Sequence, residues 1–159
     1  MACTIARIVA KRAMFPWRAA TVTADSKRIS LHVDADTRLA AAVGAAARFL
    51  SEAAGLAAPA AGEFQASVTA ASREAMGRLA GDHPHLNATI TRFVDRIEVA
   101  LSQEGSSDPA AGLDRIAGLA SPPGTSRAFE GVDRIQFEAH EGTAVTRLTK
   151  YLGHAHRIV

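Results

Sequence analysis

Apolar residues alternate with polar ones from Arg28 to Val33. A period of two residues predicts a strand with one buried face. Two more strands are predicted over 88–93 and 96–102, and the residues between them are few enough for a hairpin. The pattern therefore indicates a sheet with one face in a core.

A final hairpin is predicted to turn at Glu141-Gly142. Its first arm alternates from Ile135 to Ala139, and two registers are open for the second arm. In one register, Ile135, Phe137 and Ala139 pair with Val145 and Arg147. In the other register, they pair with Ala144, Thr146 and Leu148.

Between the first and second predicted strands, apolar residues recur every three to four positions, which is the period of a helix. Asp34 and Asp36 offer N-cap oxygens to a first helix, which Gly55 would end. A second helix is predicted from about Pro59 to Leu79. Its buried face is an unbroken apolar stripe at helical spacing, made of Phe64, Val68, Ala71, Ala75 and Leu79.

The predicted order is strand, two helices, two strands, a long connection, a short helix and two strands. The connection, 103–127, is rich in Gly, Ser, Ala and Pro, with one short helix predicted around Leu113 to Leu119. Helices and hairpins are segregated rather than alternating, which favours an α+β fold. We expect a two-layer sandwich in which a mixed, mostly antiparallel sheet is covered on one face by helices.

The charged residues are unevenly distributed only at the N-terminus, where basic residues are concentrated. The formal net charge is +2, from 18 basic and 16 acidic residues, so binding to nucleic acid by charge alone is not expected. Four basic residues and no acidic one precede Asp25, so 1–26 are expected to form a loosely attached basic tail. The domain is expected over 27–152, followed by a second tail, 153–159. The only cysteine, Cys3, allows no intramolecular disulfide. No apolar run is long enough for a membrane span, and we expect a cytoplasmic protein.

Familiar catalytic motifs do not occur in the sequence. There is no Walker-type loop, no Gly-x-Ser-x-Gly elbow and no strand-linked Gly-x-Gly-x-x-Gly. Two His-x-His pairs, His83/His85 and His154/His156, resemble half of a metal site, but no third ligand follows at helical or hairpin spacing. We expect these histidines to be solvated loop residues.

Glu74 on the second predicted helix is a charged residue that lies beside the buried stripe. With Val68 in the core, Ala70 and Glu74 project together from one flank, four residues apart. An acid in such a position is more often an ion-pair partner, here for Arg78 or Arg73, than part of a site.

The order of elements and two long stretches resemble the anti-sigma regulatory factors, the serine-kinase branch of the GHKL ATPase superfamily of gyrase, Hsp90, histidine kinase and MutL type. The stretch RISLHVDADTRLAAAVGAAARFLSEAAGL resembles the first strand and helix of that family. The stretch GVDRIQFEAHEGTAVTRLTKYL resembles its closing hairpin, including the Gly142-Thr143 step. The likeness covers 28–152 and implies a Bergerat-like ATPase fold.

The resemblance also implies a nucleotide site. The family's second helix carries a glutamate and, four residues later, an asparagine that holds Mg²⁺, and Ala70 and Glu74 stand at those places. Ala70 cannot accept a proton, whereas Glu74 can still hold Mg²⁺ through a carboxylate oxygen. The adenine-reading Asp-x-Gly is replaced by Gln103-Glu104-Gly105.

The family's Gly-x-Gly lid hinge reads Pro122-Pro123-Gly124 here, and proline removes N–H donors that phosphates would use. Thr143, whose family counterpart lies beside the adenine, is retained. The resemblance thus implies ATP and Mg²⁺ as ligands and no catalytic base. The residues it assigns to nucleotide binding, with Glu74 also as the metal ligand, are Glu74, Gln103, Gly105, Gly124 and Thr143.

The implied function is regulatory. The resemblance predicts a protein that binds a partner of the sigma-factor or anti-sigma-antagonist type, with impaired or absent kinase activity. It also predicts a homodimer if an apolar surface patch lies on the first helix near Ala41 to Ala45. Two alternatives stay open. One is a degenerate interaction module that binds no nucleotide, and the other is an α+β domain outside the family with a small-ligand pocket between helices and sheet.

Overall fold

The computed structural model describes residues 21–24, 27–77, 79, 81–103, 129–140 and 143–153. These contain six strands and two helices: β1 Thr21–Ala24, β2 Arg28–Asp34, α1 Ala40–Ala53, α2 Ala58–Met76, β3 His85–Arg92, β4 Arg96–Gln103, β5 Arg134–His140 and β6 Thr143–Tyr151. The strands form one sheet in the order β1-β2-β3-β4-β6-β5.

All neighbouring strands among the described residues pair antiparallel, so the prediction of a mixed sheet is wrong. The physical reason is the α1–α2 pair, which returns the chain to the end of the sheet where β2 finishes. His85 at the start of β3 is therefore paired with Asp34 at the end of β2. A parallel pair would need a crossover to the opposite end.

One face of the sheet is apolar and packs against both helices, as predicted. Buried residues alternate along the strands, and the stripe on α2 is buried with them. The core is formed by residues that include Ile29, Leu31, Val33, Leu86, Ile90, Ile97, Val99, Leu101, Leu148, Phe64, Val68, Ala71 and Ala75. The alternate residues of the strands point away from the helices, to a side called here the open face. The chain is thus an α+β sandwich.

The predicted boundaries differ from the structure in three places. The strand β1 lies within the predicted N-terminal tail and pairs with β2, so regular structure begins before Arg28. The helix α2 ends at Met76, and Leu79 packs against the core from outside the helix. Finally, β3 begins at His85 rather than at residue 88. Each difference arises because the hydrophobic pattern at the end of an element extends over only a few residues.

The closing hairpin adopts the second of its two predicted registers. Ile135 lies opposite Leu148, and Ala139 lies opposite Ala144. Ala144, Thr146 and Leu148 are buried as a result, on the side of the sheet that faces the helices. This register also decides which face of the sheet Thr143 occupies.

Asp36 caps the start of the helical layer, as predicted, although it caps a single 3₁₀ turn, Thr37–Leu39, that precedes α1. Its carboxylate accepts from the backbone N–H of Arg38 at 3.0 Å and is also bound by the Arg38 guanidinium. The guanidinium and the backbone N–H lower the pKa of Asp36 from 3.8 to about 2. The other predicted cap, Asp34, contacts His85 instead.

Replacing Arg38 with alanine is expected to raise the pKa of Asp36 from about 2 towards 3.8. Because the pKa is lower in the folded state, the stabilisation is present above the unfolded value and is lost as pH falls through the folded value. An NMR pH titration of the Asp36 carboxyl carbon measures this. Arg48→Ala, which removes a partner of Glu52, serves as the control and should leave the Asp36 titration unchanged.

Candidate functional site

Glu74 lies near the C-terminal end of α2, on the flank that the sequence predicted. It is partly exposed, as is Ala70 one turn earlier, whereas Ala71 and Ala75 beside them are buried. Glu74 is therefore at the border between the buried stripe of α2 and its exposed surface.

The same flank of α2 contacts the segment that follows the long connection. The backbone N–H of Gly131 donates to Ser67 Oγ at 3.1 Å, and Gly131 lies directly against the backbone of Glu63 and Phe64. Ser67 and Glu74 are two helical turns apart and share one face. After residues 104–128, the described structure thus resumes on the flank of α2 that carries Glu74.

Gln103 and Thr143 lie at the same end of neighbouring strands but on opposite faces. Gln103 follows Leu101 by two residues, so it is on the helix-covered face. Thr143 precedes the buried Ala144 and is therefore on the open face. Gln103 is thus on the face of the sheet that the helices cover, whereas Thr143 is on the other face.

This separation follows from the register of the closing hairpin. Had Val145 and Arg147 faced the helices, Thr143 would have shared their side; a slip of one residue reverses the faces. Sequence reasoning left both registers open and so could not place Thr143. Two other predicted binding residues, Gly105 and Gly124, lie outside the described residues.

The metal chemistry available to Glu74 is that of a single carboxylate. In the part of the chain that the structure describes, no three His, Cys, Asp or Glu side chains form a group that could hold a metal ion. One carboxylate still fits Mg²⁺, because this ion commonly keeps several waters and takes further ligands from substrate phosphates. Glu74 would therefore hold Mg²⁺ only together with a nucleotide.

A polar cluster on the open face was not predicted. His32 Nδ1 lies 2.6 Å from Asn87 Oδ1, and His85 Nδ1 lies 2.9 Å from Asp34 Oδ1. The two imidazole rings stack with their centroids 4.5 Å apart. His83 is exposed, as expected, but the prediction that His85 is a solvated loop residue is wrong. The alternating pattern placed His32 in a strand, but the predicted strand began at residue 88 and so left out His85. His154 and His156 lie outside the described residues.

A second set of charges on the open face is paired. Glu98 is nearly buried and binds Arg96 Nε at 2.6 Å and Arg147 Nη1 at 3.1 Å, and Arg147 also binds Glu138. Hydrogen bonds with these carboxylates raise the pKa of both arginines above the usual value. The largest contribution comes from Glu98 for Arg96 and from Glu138 for Arg147. The network joins β4, β6 and β5.

The first helix carries exposed apolar residues at the place where a surface patch would favour a homodimer. Ala41, Ala42 and Ala45 are exposed on α1, and Phe49, one turn further on, has 65% of its surface exposed. Single exposed apolar residues are ordinary in proteins, whereas a phenylalanine beside three alanines on one helix forms a continuous surface.

Neither a family model nor a curated protein matches the chain. In the described part of the chain, neither helix combines the length and apolar character that crossing a membrane would need.

Proposed function

We propose that this chain is a regulatory protein of the anti-sigma type, which acts by binding a partner protein and has a Bergerat-like GHKL fold. The observation that supports the proposal is the order of elements over 28–152, which leaves out β1: the strand β2, a helix pair, a hairpin, residues 104–128 and a closing hairpin. That order is the one the sequence resemblance implies. The partner is a sigma factor or an antagonist of the anti-sigma type, and the α1 patch supports a homodimer.

Partner binding, not phosphoryl transfer, is the proposed activity. Ala70 stands where the related kinases carry a proton acceptor, and a methyl group cannot act as a general base. Thr143 and Gln103 occupy opposite faces of the sheet, so one bound adenine cannot contact both without reaching around the sheet end. A binding surface requires neither feature.

A nucleotide is the proposed ligand of the helix-covered side. Gln103 is on that side of the sheet, and Gly131 contacts the flank of α2 that carries Glu74. With ATP bound, Glu74 would hold Mg²⁺ and Gln103 would accept from the adenine amino group. The phosphates of the nucleotide would supply the remaining charge around the ion.

A thermal-shift titration with ATP·Mg²⁺ and ADP·Mg²⁺ tests the nucleotide part. At 100 times its dissociation constant, a ligand of the folded state stabilises by about 2.7 kcal/mol, a shift of several degrees for a domain of this size. We expect Glu74→Ala to abolish the shift. Glu52→Ala, on the exposed surface of α1, is the matched control and should retain it.

The two parts of the proposal fail separately. No shift at millimolar nucleotide would remove the ATP site and leave an interaction module without a nucleotide. Affinity purification of the full chain from its own cells tests partner binding, because a sigma factor or an anti-sigma antagonist should be identified among the retained proteins. If neither class is retained under conditions in which the chain stays folded, the regulatory proposal is wrong.

A further inference from the structure

Exposed hydrophobic side chains are concentrated at one end of the sheet. Four large hydrophobic side chains are exposed among the described residues, and three of them, Phe93, Val94 and Tyr151, lie at the end where β3 finishes and β4 begins. The backbone N–H of Phe93 donates to the carbonyl of Arg96 at 2.8 Å and closes a turn at Val94 and Asp95. Val94 is fully exposed, so it protrudes from the tip of the β3–β4 hairpin.

Arg96 lies between the two aromatic side chains of this group. Its guanidinium carbon is 4.3 Å from the centroid of the Phe93 ring, which is a cation–π arrangement. Tyr151 is directly paired with Arg96 across β4 and β6, so both side chains leave the sheet on the same face. Phe93 and Tyr151 therefore both lie beside Arg96, with Val94 at the adjoining turn. These three hydrophobic residues are called here the apolar tip.

Positive charge surrounds the apolar tip. At this end of the antiparallel sheet, four strands begin or end with an arginine: Arg28, Arg92, Arg96 and Arg134. The acidic side chains described here are already bound, Asp95 and Glu98 by Arg96 and Asp133 by Lys150. Arg92 and Arg134 are exposed and lie outside these ion pairs, so positive charge is in excess around the tip.

We propose that this end of the sheet binds the surface of a bilayer that contains anionic lipids, with the apolar tip inserted among the headgroups. Apolar side chains enter the boundary between headgroups and acyl chains, and aromatic side chains favour that boundary. Lys and Arg side chains next to the surface are attracted to anionic lipids. Such peripheral binding needs no helix that spans a bilayer, and it depends neither on a nucleotide nor on a protein partner.

Two features favour a bilayer over a single-stranded nucleic acid, which also binds basic and aromatic surfaces. Base stacking needs free aromatic faces, and one face of the Phe93 ring is covered by the Arg96 guanidinium. The outermost residue, Val94, has an aliphatic side chain, which neither stacks on a base nor binds a phosphate. Transfer of that side chain out of water is favourable, and a bilayer allows it at a convex tip.

The test places the environment-sensitive fluorophore NBD on the tip of the full chain. Cys3 is the only cysteine, so Val94→Cys combined with Cys3→Ser is labelled at one position. Vesicles of phosphatidylcholine with phosphatidylserine should shift the emission to shorter wavelength, and phosphatidylcholine alone should not. The label reports insertion of the tip itself, whatever the basic N-terminal residues contribute to binding. His83→Cys is the matched control, because His83 is exposed just before β3, at the opposite end of the sheet, and its label should not respond.

Co-sedimentation with the same vesicles measures the apolar and the charged contributions. Val94→Ser should weaken binding about tenfold, and Arg92→Gln about fivefold. Phe49→Ser removes an exposed aromatic side chain from α1 and should bind like the parent. Circular dichroism of each variant verifies that the fold is unchanged.

Four results would overturn the proposal. They are an unchanged spectrum of the label at position 94 with phosphatidylserine vesicles, equal shifts at positions 94 and 83, equal shifts with and without phosphatidylserine, and equal binding of Val94→Ser and the parent. The proposal would also be wrong if the label at position 94 shifted without vesicles as the protein concentration rose, because a second copy of the chain would then cover the tip.

Discussion

Replacing Gly131 with alanine is expected to destabilise the protein by about 3 kcal/mol. A Cβ at this position would overlap the carbonyl of Glu63 and lie 2.5 Å from the backbone nitrogen of Phe64. These are backbone atoms of α2, so no side chain can turn aside to make room. The segment must move away from the helix and lose the bond from Gly131 N–H to Ser67 Oγ. Urea denaturation of the variant and the parent measures the difference.

Gly62→Ala is the matched control for this substitution. Gly62 lies on the same helix, and a Cβ there would meet no atom within 4 Å. Alanine has the higher helix propensity, so this variant should be as stable as the parent or more stable by up to about 1 kcal/mol. If Gly131→Ala unfolded at the same urea concentration as the parent, the contact between this segment and α2 would not be as described.

Replacing Gly44 with alanine should destabilise the protein by about 2–3 kcal/mol, because α2 lies directly against α1 at this glycine. The new Cβ would overlap the hydroxyl of Thr69 and lie 2.8 Å from the carbonyl oxygen of Gln65. The hydroxyl belongs to a side chain that can be removed, whereas the carbonyl belongs to the helix backbone. The two contacts can therefore be separated by mutation.

A double-mutant cycle with Thr69→Ala makes that separation. Thr69→Ala should relieve part of the cost of Gly44→Ala, and the cost that remains reports the Gln65 carbonyl. Denaturant unfolding of the four proteins gives the coupling energy. Strictly additive free energies would mean that the helices are further apart at this point than described.

The sequence predicted the elements whose patterns are long. The stripe on α2 is buried from Phe64 to Ala75, and the strand over 96–102 extends by only one residue, to Gln103. Burial of one face repeats at a fixed period, so several residues support each assignment. The strand β1 has only four residues, and its pairing with β2 is a tertiary contact that no local pattern reveals.

The candidate sites could be predicted less well, because they depend on register and on contacts distant in sequence. Helical periodicity placed Ala70 and Glu74 correctly on a half-buried flank. The face that Thr143 occupies depends on a shift of one residue in the closing hairpin, which the sequence left open. The contact of His32 with His85 depends on the pairing of β2 with β3, which are separated in the sequence by both helices.

The strand order also bears on how the chain folds. The hairpins β3–β4 and β5–β6 pair residues that are close in sequence, and such hairpins form in about 1–10 μs. Pairing of β2 with β3 must span both helices, and pairing of β4 with β6 must span the connection 104–128. The entropy cost of closing these loops opposes both pairings until burial of the apolar core offsets it. The strand order therefore predicts that the two hairpins form early and that the pairings of β2 with β3 and of β4 with β6 form later.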